Sequence, residues 1–389
     1  LLYGIIIVIN GTNIYMKQSK QNQLIFFFPL IDIGGVEKNF FIISKYLVKK
    51  LTNFNHYIVT FKKTNHIKKN IDKEIKIIKS GLVSFTIPRR FKFILCMIQL
   101  FINCLKFQNS IIFSFQGNFY ALFIAFILKR KIIVRSNVTP DAWGTNIFKR
   151  KIFNFLLSKS NLIIVNSSEF KKKFKKYFNL KTTKIYNPIF KKKDSEKKKY
   201  KVNDFFFKKK TINLINIGRL VKQKNQIELI NALSKVKSPD KFRLMIIGKG
   251  PEKKKLLKIL KEKKLDKFIK ISSKQKNMNY FLKKSDIFIL SSIHEGLPNV
   301  LLEAAINKKY IISSNCPTGP KEILGYYKYG ELYKVNRTNQ LVNILNKLND
   351  NKKLLLKLKK KIDLKNIMFD YKYNLNLYYT NILKLSHKL

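Results

Sequence analysis

This sequence predicts an α/β chain with two doubly wound parallel sheets in tandem, and three observations carry that prediction. Short Ile, Phe, Leu and Val runs alternate with longer helical patterns from about residue 24 onward, the rhythm of parallel strands joined by crossover helices. The alternation stops once, at "KKKDSEKKKYKVNDFFFKKK" (191–210), and then resumes. The 389 residues are enough for two domains of ordinary size, each with its own core.

In order, the first series of strands is expected at "LIFFFP" (24–29), "HYIVTF" (56–61), "IKII" (75–78), "SIIFSF" (110–115), "KIIVR" (131–135) and "LIIVN" (162–166), with helices between them. The charge-dense stretch 191–210 has no sustained periodicity and reads as a linker. The second series is "TINLINIG" (211–218), "FRLMIIG" (242–248), "FIKI" (268–271), "SDIFILSS" (285–292), "KYIISS" (309–314) and "ELYKV" (331–335). This gives an N-terminal extension (1–20), a first domain (21–190), the linker (191–210), a second domain (211–365) and a last helix (366–389). The opening "LLYGIIIVIN" is apolar for about ten residues, too few to span a bilayer, and lacks a small-residue cleavage signal. Met16 is the first methionine, and residues 1–20 are expected to lie outside the fold.

Composition narrows the function. A hydrophobic fraction of 46% excludes general disorder. The 80 Lys and Arg against 22 Asp and Glu give a formal charge of +58, yet the lysines are spread along the chain among Ile, Asn and Phe, as if a skewed codon pool had filled neutral positions. A nucleic-acid protein would cluster them in a stripe or a motif, so an anionic ligand such as a phosphate, or a membrane surface, is the better expectation. "IPRRFKFILCMIQLFINCLKF" (87–107) sets Arg89, Arg90 and Lys92 beside an apolar body, a pattern that lies on anionic lipid but that a buried crossover helix also needs. Cys96, Cys104 and Cys316 form neither a disulfide framework nor a metal-ligand spacing, as expected for a reducing cytoplasm.

Ligands of open α/β sheets collect at the carboxyl ends of the strands, so the loops there carry the chemistry. "PLIDIGGVEKNF" places Gly34-Gly35 between the first strand and a helix; the pair suits close approach to a phosphate or sugar hydroxyl, or a tight turn with positive φ. "NIGRLVKQKNQ" (216–226) puts Arg219 and Lys224 in a loop before a helix, where a guanidinium fork and an ammonium can converge on a diphosphate, although Lys224 also reads as a solvated charge. "IIGKGPEKK" (246–254) fits a packing turn with Pro251 in the first helical turn. "HEGLPNVLLEAA" (294–305) sets Glu295 on a loop and Glu303 about a turn inside a helix begun by Pro298-Asn299. That helix start directs unpaired N–H groups at the loop, and two spaced carboxylates suit the hydroxyls of an extended polar ligand. "SNCPTGPKEIL" (314–324) lets Thr318 cap a helix at Pro320, with Gly319 marking a close approach.

In this order, Gly-Gly, "GRLVKQKN", "IIGKGPE", "SSIHEGLPNVLLEA" and "CPTGPKEIL" resemble the retaining glycosyltransferases of family four, over roughly residues 24–389. The resemblance implies the GT-B architecture, two Rossmann-like domains facing across a cleft, with the tail helix crossing back onto the first domain. It implies that a sugar moves with retention from a nucleotide-sugar donor to a glycan or lipid-linked acceptor in cell-surface polysaccharide synthesis, with no cofactor. Arg219 and Lys224 would hold the donor diphosphate, helped by Gly218 and the N–H groups of Asn299 and Val300. Glu303 would take the ribose hydroxyls, Glu295 the donor sugar, and Gly34 and Gly35 would let the first domain close over the phosphates. The catalytic set is then Arg219, Lys224 and Glu295, the cations stabilising charge on the leaving diphosphate.

The chain departs from the family pattern in places. A histidine common in the loop after the fourth strand is replaced by "FSFQGNFY", leaving Gln116 and Asn118, or Arg135 and Asn137 of "VRSNVTP", as acceptor-side groups. Ser272-Ser273 stand where a glycine is usual, and no Asp-x-Asp is present, "DKE" (72–74) and "DSE" (194–196) being the nearest, as expected of a metal-independent enzyme. The competing readings are another GT-B reaction, an epimerase or a phosphorylase, and a non-enzymatic basic binder.

Overall fold

The computed structural model describes residues 21–32, 34–80, 87–137, 140, 147–189, 210–273, 278–325, 329–351 and 369–387. The first sheet contains β1 (Asn22–Phe27), β2 (Phe54–Thr60), β3 (Lys76–Lys79), β4 (Ser110–Ser114), β5 (Lys131–Arg135), β6 (Leu162–Val165) and β7 (Thr183–Lys184), in spatial order β3-β2-β1-β4-β5-β6-β7. The second contains β8 (Ile212–Ile217), β9 (Phe242–Ile247), β10 (Ile269–Ser272), β11 (Ile287–Leu290), β12 (Tyr310–Ser314) and β13 (Glu331–Tyr333), in order β10-β9-β8-β11-β12-β13. Every pairing is parallel. Each strand expected from the sequence appears within a few residues of its place. The one missed is β7, two half-buried residues without an apolar run.

The helices of the first half are α1 (Gly35–Lys50), α2 (Asn65–Asn70), α3 (Arg89–Lys106), α4 (Asn118–Ile127), α5 (Ile147–Ser158) and α6 (Ser168–Phe178). Those of the second are α7 (Gln226–Leu233), α8 (Lys253–Glu262), α9 (Met278–Lys284), α10 (Asn299–Ile306), α11 (Pro320–Ile323) and α12 (Thr338–Asp350), followed by α13 (Tyr371–Ser386). Helices cover both faces of each sheet, which is why the central strands read as unbroken apolar runs. Along β1, Leu24 and Phe26 pack with Phe40 and Leu47 of α1, while Ile25 and Phe27 pack with Leu100 of α3 and Leu122 of α4. In the second sheet Leu214 and Leu244 meet Leu229 and Leu256, and Ile215 and Met245 meet Leu301 and Leu302 of α10.

The chain ends on the first sheet's side. Asp370 caps α13 by accepting from the Tyr373 N–H at 2.6 Å. Leu375, Tyr378 and Ile382 then enter the core that α1 shares with β1. Lys131 Nζ donates to the Leu385 carbonyl at 2.9 Å, a cation at the helix's carbonyl end. The expected extension 1–20 lies outside the described residues, as does the expected linker apart from Lys210.

Candidate active site between the two sheets

Strand order reverses between β1 and β4 in the first sheet and between β8 and β11 in the second. Loops leaving neighbouring strands in opposite directions open a crevice at such a point. The loop after β8 carries Gly218, Arg219 and Lys224; the loop after β11 carries His294, Glu295 and Gly296. The structure brings these two loops into contact. Lys224 Nζ is hydrogen-bonded and ion-paired to Glu295 Oε1, with the two side chains 16% and 8% exposed. Ser292 Oγ donates to the same carboxylate oxygen at 2.6 Å, and Ser291 Oγ to the Lys224 carbonyl at 2.9 Å. Lys224 is therefore not a solvated surface charge. Gln226 Nε2 donates to the Arg219 carbonyl at 3.0 Å, which fixes that loop, while the exposed Arg219 guanidinium is bonded to none of the described residues.

One turn further on, α10 begins at Asn299 with Pro298 before it and no side-chain cap. The backbone N–H groups of Asn299 and Val300 have no protein acceptor among the described residues. They form a seat of positive potential beside the Lys224–Glu295 pair. Glu303, in the next turn, is ion-paired to Lys38 of α1, so the second sheet's helix touches the first sheet's helix through a carboxylate.

Asn299 itself is buried and joins the halves. Its Nδ2 donates to the Gly35 carbonyl and to Asn39 Oδ1, each at 3.1 Å, and its Oδ1 accepts from Asn187 Nδ2 at 2.6 Å. Asn187 Oδ1 accepts in turn from Arg135 at 2.6 Å, and Arg135 Nε donates to the Tyr378 hydroxyl at 3.0 Å. The network runs from α13 through β5 to α10 and α1. A second lock lies beside it: Glu322 of α11 accepts from the Ser168 N–H at 2.9 Å and from its hydroxyl at 2.7 Å, while Glu169 of α6 accepts from the Thr318 N–H at 2.9 Å. Glu322 sits on the start of α6, where the dipole favours it, and Glu169 on the loop that leads into α11.

Several expected roles change. Arg135 is 0% exposed, spends its donors on Tyr378, Asn137 and Asn187, and lies 5.8 Å from the Phe115 ring, so it braces the two halves and presents nothing to an acceptor. Asn137 donates to the Phe115 carbonyl at 2.8 Å; Gln116 accepts from the Leu30 N–H at 2.9 Å; Asn118 accepts from Ser114 at 2.7 Å and donates to the Arg135 carbonyl at 3.3 Å. All four shape the first sheet's crevice. Gly34 has a φ of −158°, extended backbone open to any residue, so the positive-φ turn is not what the pair provides. A Cβ on Gly35 would lie 3.2 Å from Asn299 Nδ2, so Gly35 makes room for the opposite half.

Thr318 does not cap α11, whose start has no side-chain cap; it donates to the Glu295 carbonyl and holds that loop. Gly319 (φ +93°) lies against the Gly296 carbonyl, and Gly248 against that of Gly218, so both glycines serve chain packing. Pro251 precedes α8 by two residues. Lys38, Asn39 and Asn187 were missed: one more Lys or Asn among so many carries no pattern of its own, and only their place on facing elements marks them.

Behind the Lys224 loop lies a buried acid that no sequence pattern marks. Glu228 of α7 accepts from Asn225 Nδ2 at 3.0 Å and from the Tyr333 hydroxyl at 3.4 Å, and its Oε1 has no partner among the described residues. Burial pushes its carboxyl up to about 7, against the smaller opposing pull of those hydrogen bonds.

Residues 197–364 match the family model "Glycosyl transferases group 1". Over 242 residues the chain is 30% identical to an uncharacterized glycosyltransferase of Methanocaldococcus jannaschii, covering 56% of this chain and 59% of that protein. Over 276 residues it is 26% identical to the N-acetylgalactosamine-N,N'-diacetylbacillosaminyl-diphospho-undecaprenol 4-alpha-N-acetylgalactosaminyltransferase of Campylobacter jejuni, covering 68% and 73%. The chain thus spans about three fifths of the length of the first of these relatives. Among solved structures, Anabaena HepE in complex with UDP and glucose superposes with a TM-score of 0.74 at 15% identity, covering 95% of this chain and all of that one. This likeness carries the fold, two parallel-sheet Rossmann-like halves in the GT-B arrangement. The similarity to the Glycosyl transferases group 1 model thus lies in the second half of the chain, around β8 to α12.

Proposed function

We propose that the protein is a glycosyltransferase that moves a sugar from a nucleotide-sugar donor to a glycan or lipid-linked acceptor, with retention of anomeric configuration, in cell-surface polysaccharide synthesis. The observation that carries this reading is the second switch point, where the loop after β8 meets the loop after β11 through the Lys224–Glu295 pair, with α10 opening next to it on N–H groups that have no acceptor among the described residues. The Campylobacter relative, whose name gives a diphospho-undecaprenol acceptor, and the Anabaena protein, solved with UDP and glucose, support the substrate classes.

In this reading the diphosphate lies over the start of α10, between Arg219 and Lys224, on a face kept open by Gly218. The ribose hydroxyls donate to Glu303 in exchange for Lys38, and the released Lys38 ammonium turns to the phosphates from the first half. Glu295, already oriented by Ser292 and Lys224, faces the hydroxyls of the donor sugar. The bond from the anomeric carbon to the phosphate oxygen breaks while the acceptor oxygen bonds on the same face, and the departing phosphate takes the acceptor proton. Arg219, Lys224 and the helix start meet the charge as it develops, a contribution of roughly 3–4 kcal/mol for one well-placed donor. No metal or cofactor is assigned.

A thermal-shift panel of UDP- and GDP-sugars tests the reading. A true donor at a hundred times its dissociation constant stabilises by about 2.7 kcal/mol. A flat panel, with no transfer or hydrolysis of labelled donors, removes the proposal. Full donor affinity in Glu303→Ala removes the ribose contact alone.

A further inference from the structure

Three adjacent helices of the first half turn apolar side chains outward. On α3 the buried positions are Phe93, Cys96, Leu100 and Cys104, yet a second stripe at Phe91, Ile94, Leu95, Ile98 and Ile102 faces solvent at helical spacing. Its neighbour α4 does the same through Phe119, Phe123 and Phe126, and α5 through Phe148 and Phe155. Of the 17 exposed large apolar side chains among the described residues, 13 lie on these three helices. A codon bias toward Ile and Phe would scatter them over both halves, so their concentration needs another cause.

The charges around this face have one sign. Arg89, Arg90 and Lys106 lie on α3 and Lys149, Arg150 and Lys151 on α5, all exposed, and none of α3, α4 and α5 contains an Asp or Glu. Two copies meeting through this face would bring like charges together, and a nucleic acid would leave the apolar centre unmatched. The surface that matches both parts is a bilayer with anionic headgroups, its interface taking the rings and its phosphates the cations. No helix among the described residues is long and apolar enough to cross a membrane. We propose that α3, α4 and α5 form a face that docks on anionic bilayers.

The orientation follows from the topology. Crossover helices of a parallel sheet start at the carboxyl ends of the strands, the end where the crevice lies. Phe91 (59% exposed), Phe119 and Phe148 (71% exposed) stand in the first turns of α3, α4 and α5. Phe148 and Phe91, the two most exposed rings among the described residues, therefore lie at the crevice end, and docking sets the crevice mouth beside the headgroups. This goes beyond sugar transfer and does not need that reading to hold.

The test is flotation of the whole chain with vesicles of phosphatidylcholine alone and with 30% phosphatidylglycerol. The wild type is expected to float with the anionic vesicles and to be released by salt. Phe91→Glu/Phe119→Glu/Phe148→Glu, all at exposed positions, is expected to weaken partition at least about tenfold with an unchanged circular dichroism spectrum and melting temperature. Arg89→Gln/Arg90→Gln/Lys149→Gln/Arg150→Gln is expected to remove the preference for anionic lipid. Wild-type protein that stays at the bottom of the gradient, partition indifferent to both sets of changes, or light scattering showing a lipid-free dimer that the Glu variant splits, overturns the proposal. Donor thermal shifts on the same variants keep this outcome separate from that of the sugar-transfer reading.

Discussion

The two crevice walls are furnished in opposite ways. On the wall from the first sheet, Gln116, Asn118, Arg135 and Asn137 are all hydrogen-bonded to their own chain. The wall from the second sheet keeps groups in reserve: Arg219 is exposed and unpartnered among the described residues, and α10 begins without a side-chain cap. The difference teaches that a polar residue at a strand's carboxyl end is as often a brace as a ligand contact. Burial and hydrogen-bond accounting, which sequence does not contain, separate the two.

The largest effect that sharpens this contrast is expected at Arg135. Its guanidinium is fully buried and linked to both halves through Asn187, so Arg135→Met leaves the Tyr378 hydroxyl and the Asn187 amide without their donor. A loss of about 3–5 kcal/mol is expected in urea unfolding, with donor affinity preserved in whatever fraction stays folded. A stable Arg135→Met protein that no longer binds donor would break the contrast. Next, Lys224→Ala is expected to cut turnover about 10²–10³-fold, measured with the best donor from the thermal-shift panel. Turnover within a factor of three of wild type would leave Lys224 only the structural task of holding Glu295.

A middle-sized effect belongs to Glu228. Its ordinary value of 4.5 rises to about 7 in the fold, so between those pH values the folded chain holds a proton that the unfolded chain has lost. Stability contributed by the protonated form is complete below about 4.5 and is lost as pH rises through 7. Glu228→Gln should match the wild type near pH 4.5 and exceed it by on the order of 1–3 kcal/mol at pH 8, read from melting curves across the range. A gap that stays constant with pH would contradict the assignment. The smallest effect is at Gly218, where an added Cβ comes no nearer than ordinary contact, with Lys224 Cδ at 3.7 Å and Lys224 Cε and Gln226 Nε2 at 3.8 Å. Gly218→Ala is expected to leave the melting temperature unchanged and to weaken donor binding about tenfold, roughly 1.4 kcal/mol. Unchanged binding, measured by calorimetry, would place the diphosphate elsewhere.

The sequence by itself determined the layered architecture. Unbroken apolar runs such as "IFIL" specify strands covered on both faces, and Glu295, eight residues from Glu303 across a Pro-Asn helix start, marked the loop that meets Lys224. It also marked Lys224, because an ammonium beside a guanidinium in a loop after a central strand suits a diphosphate. Only the tertiary structure decided what those groups touch. Lys38 is one lysine among many until α1 is laid against α10, and Arg135 looks like a crevice residue until α13 returns to cover it. The same holds for α3: hydrophobic periodicity reports how apolar each face of a helix is, whereas the packing of α3 on β1 and α4 decides which apolar stripe is buried and which is left facing outward. Local patterns fix local conformation because they act through neighbours three or four positions away. Partners more than a hundred residues apart are chosen by the topology that brings them together.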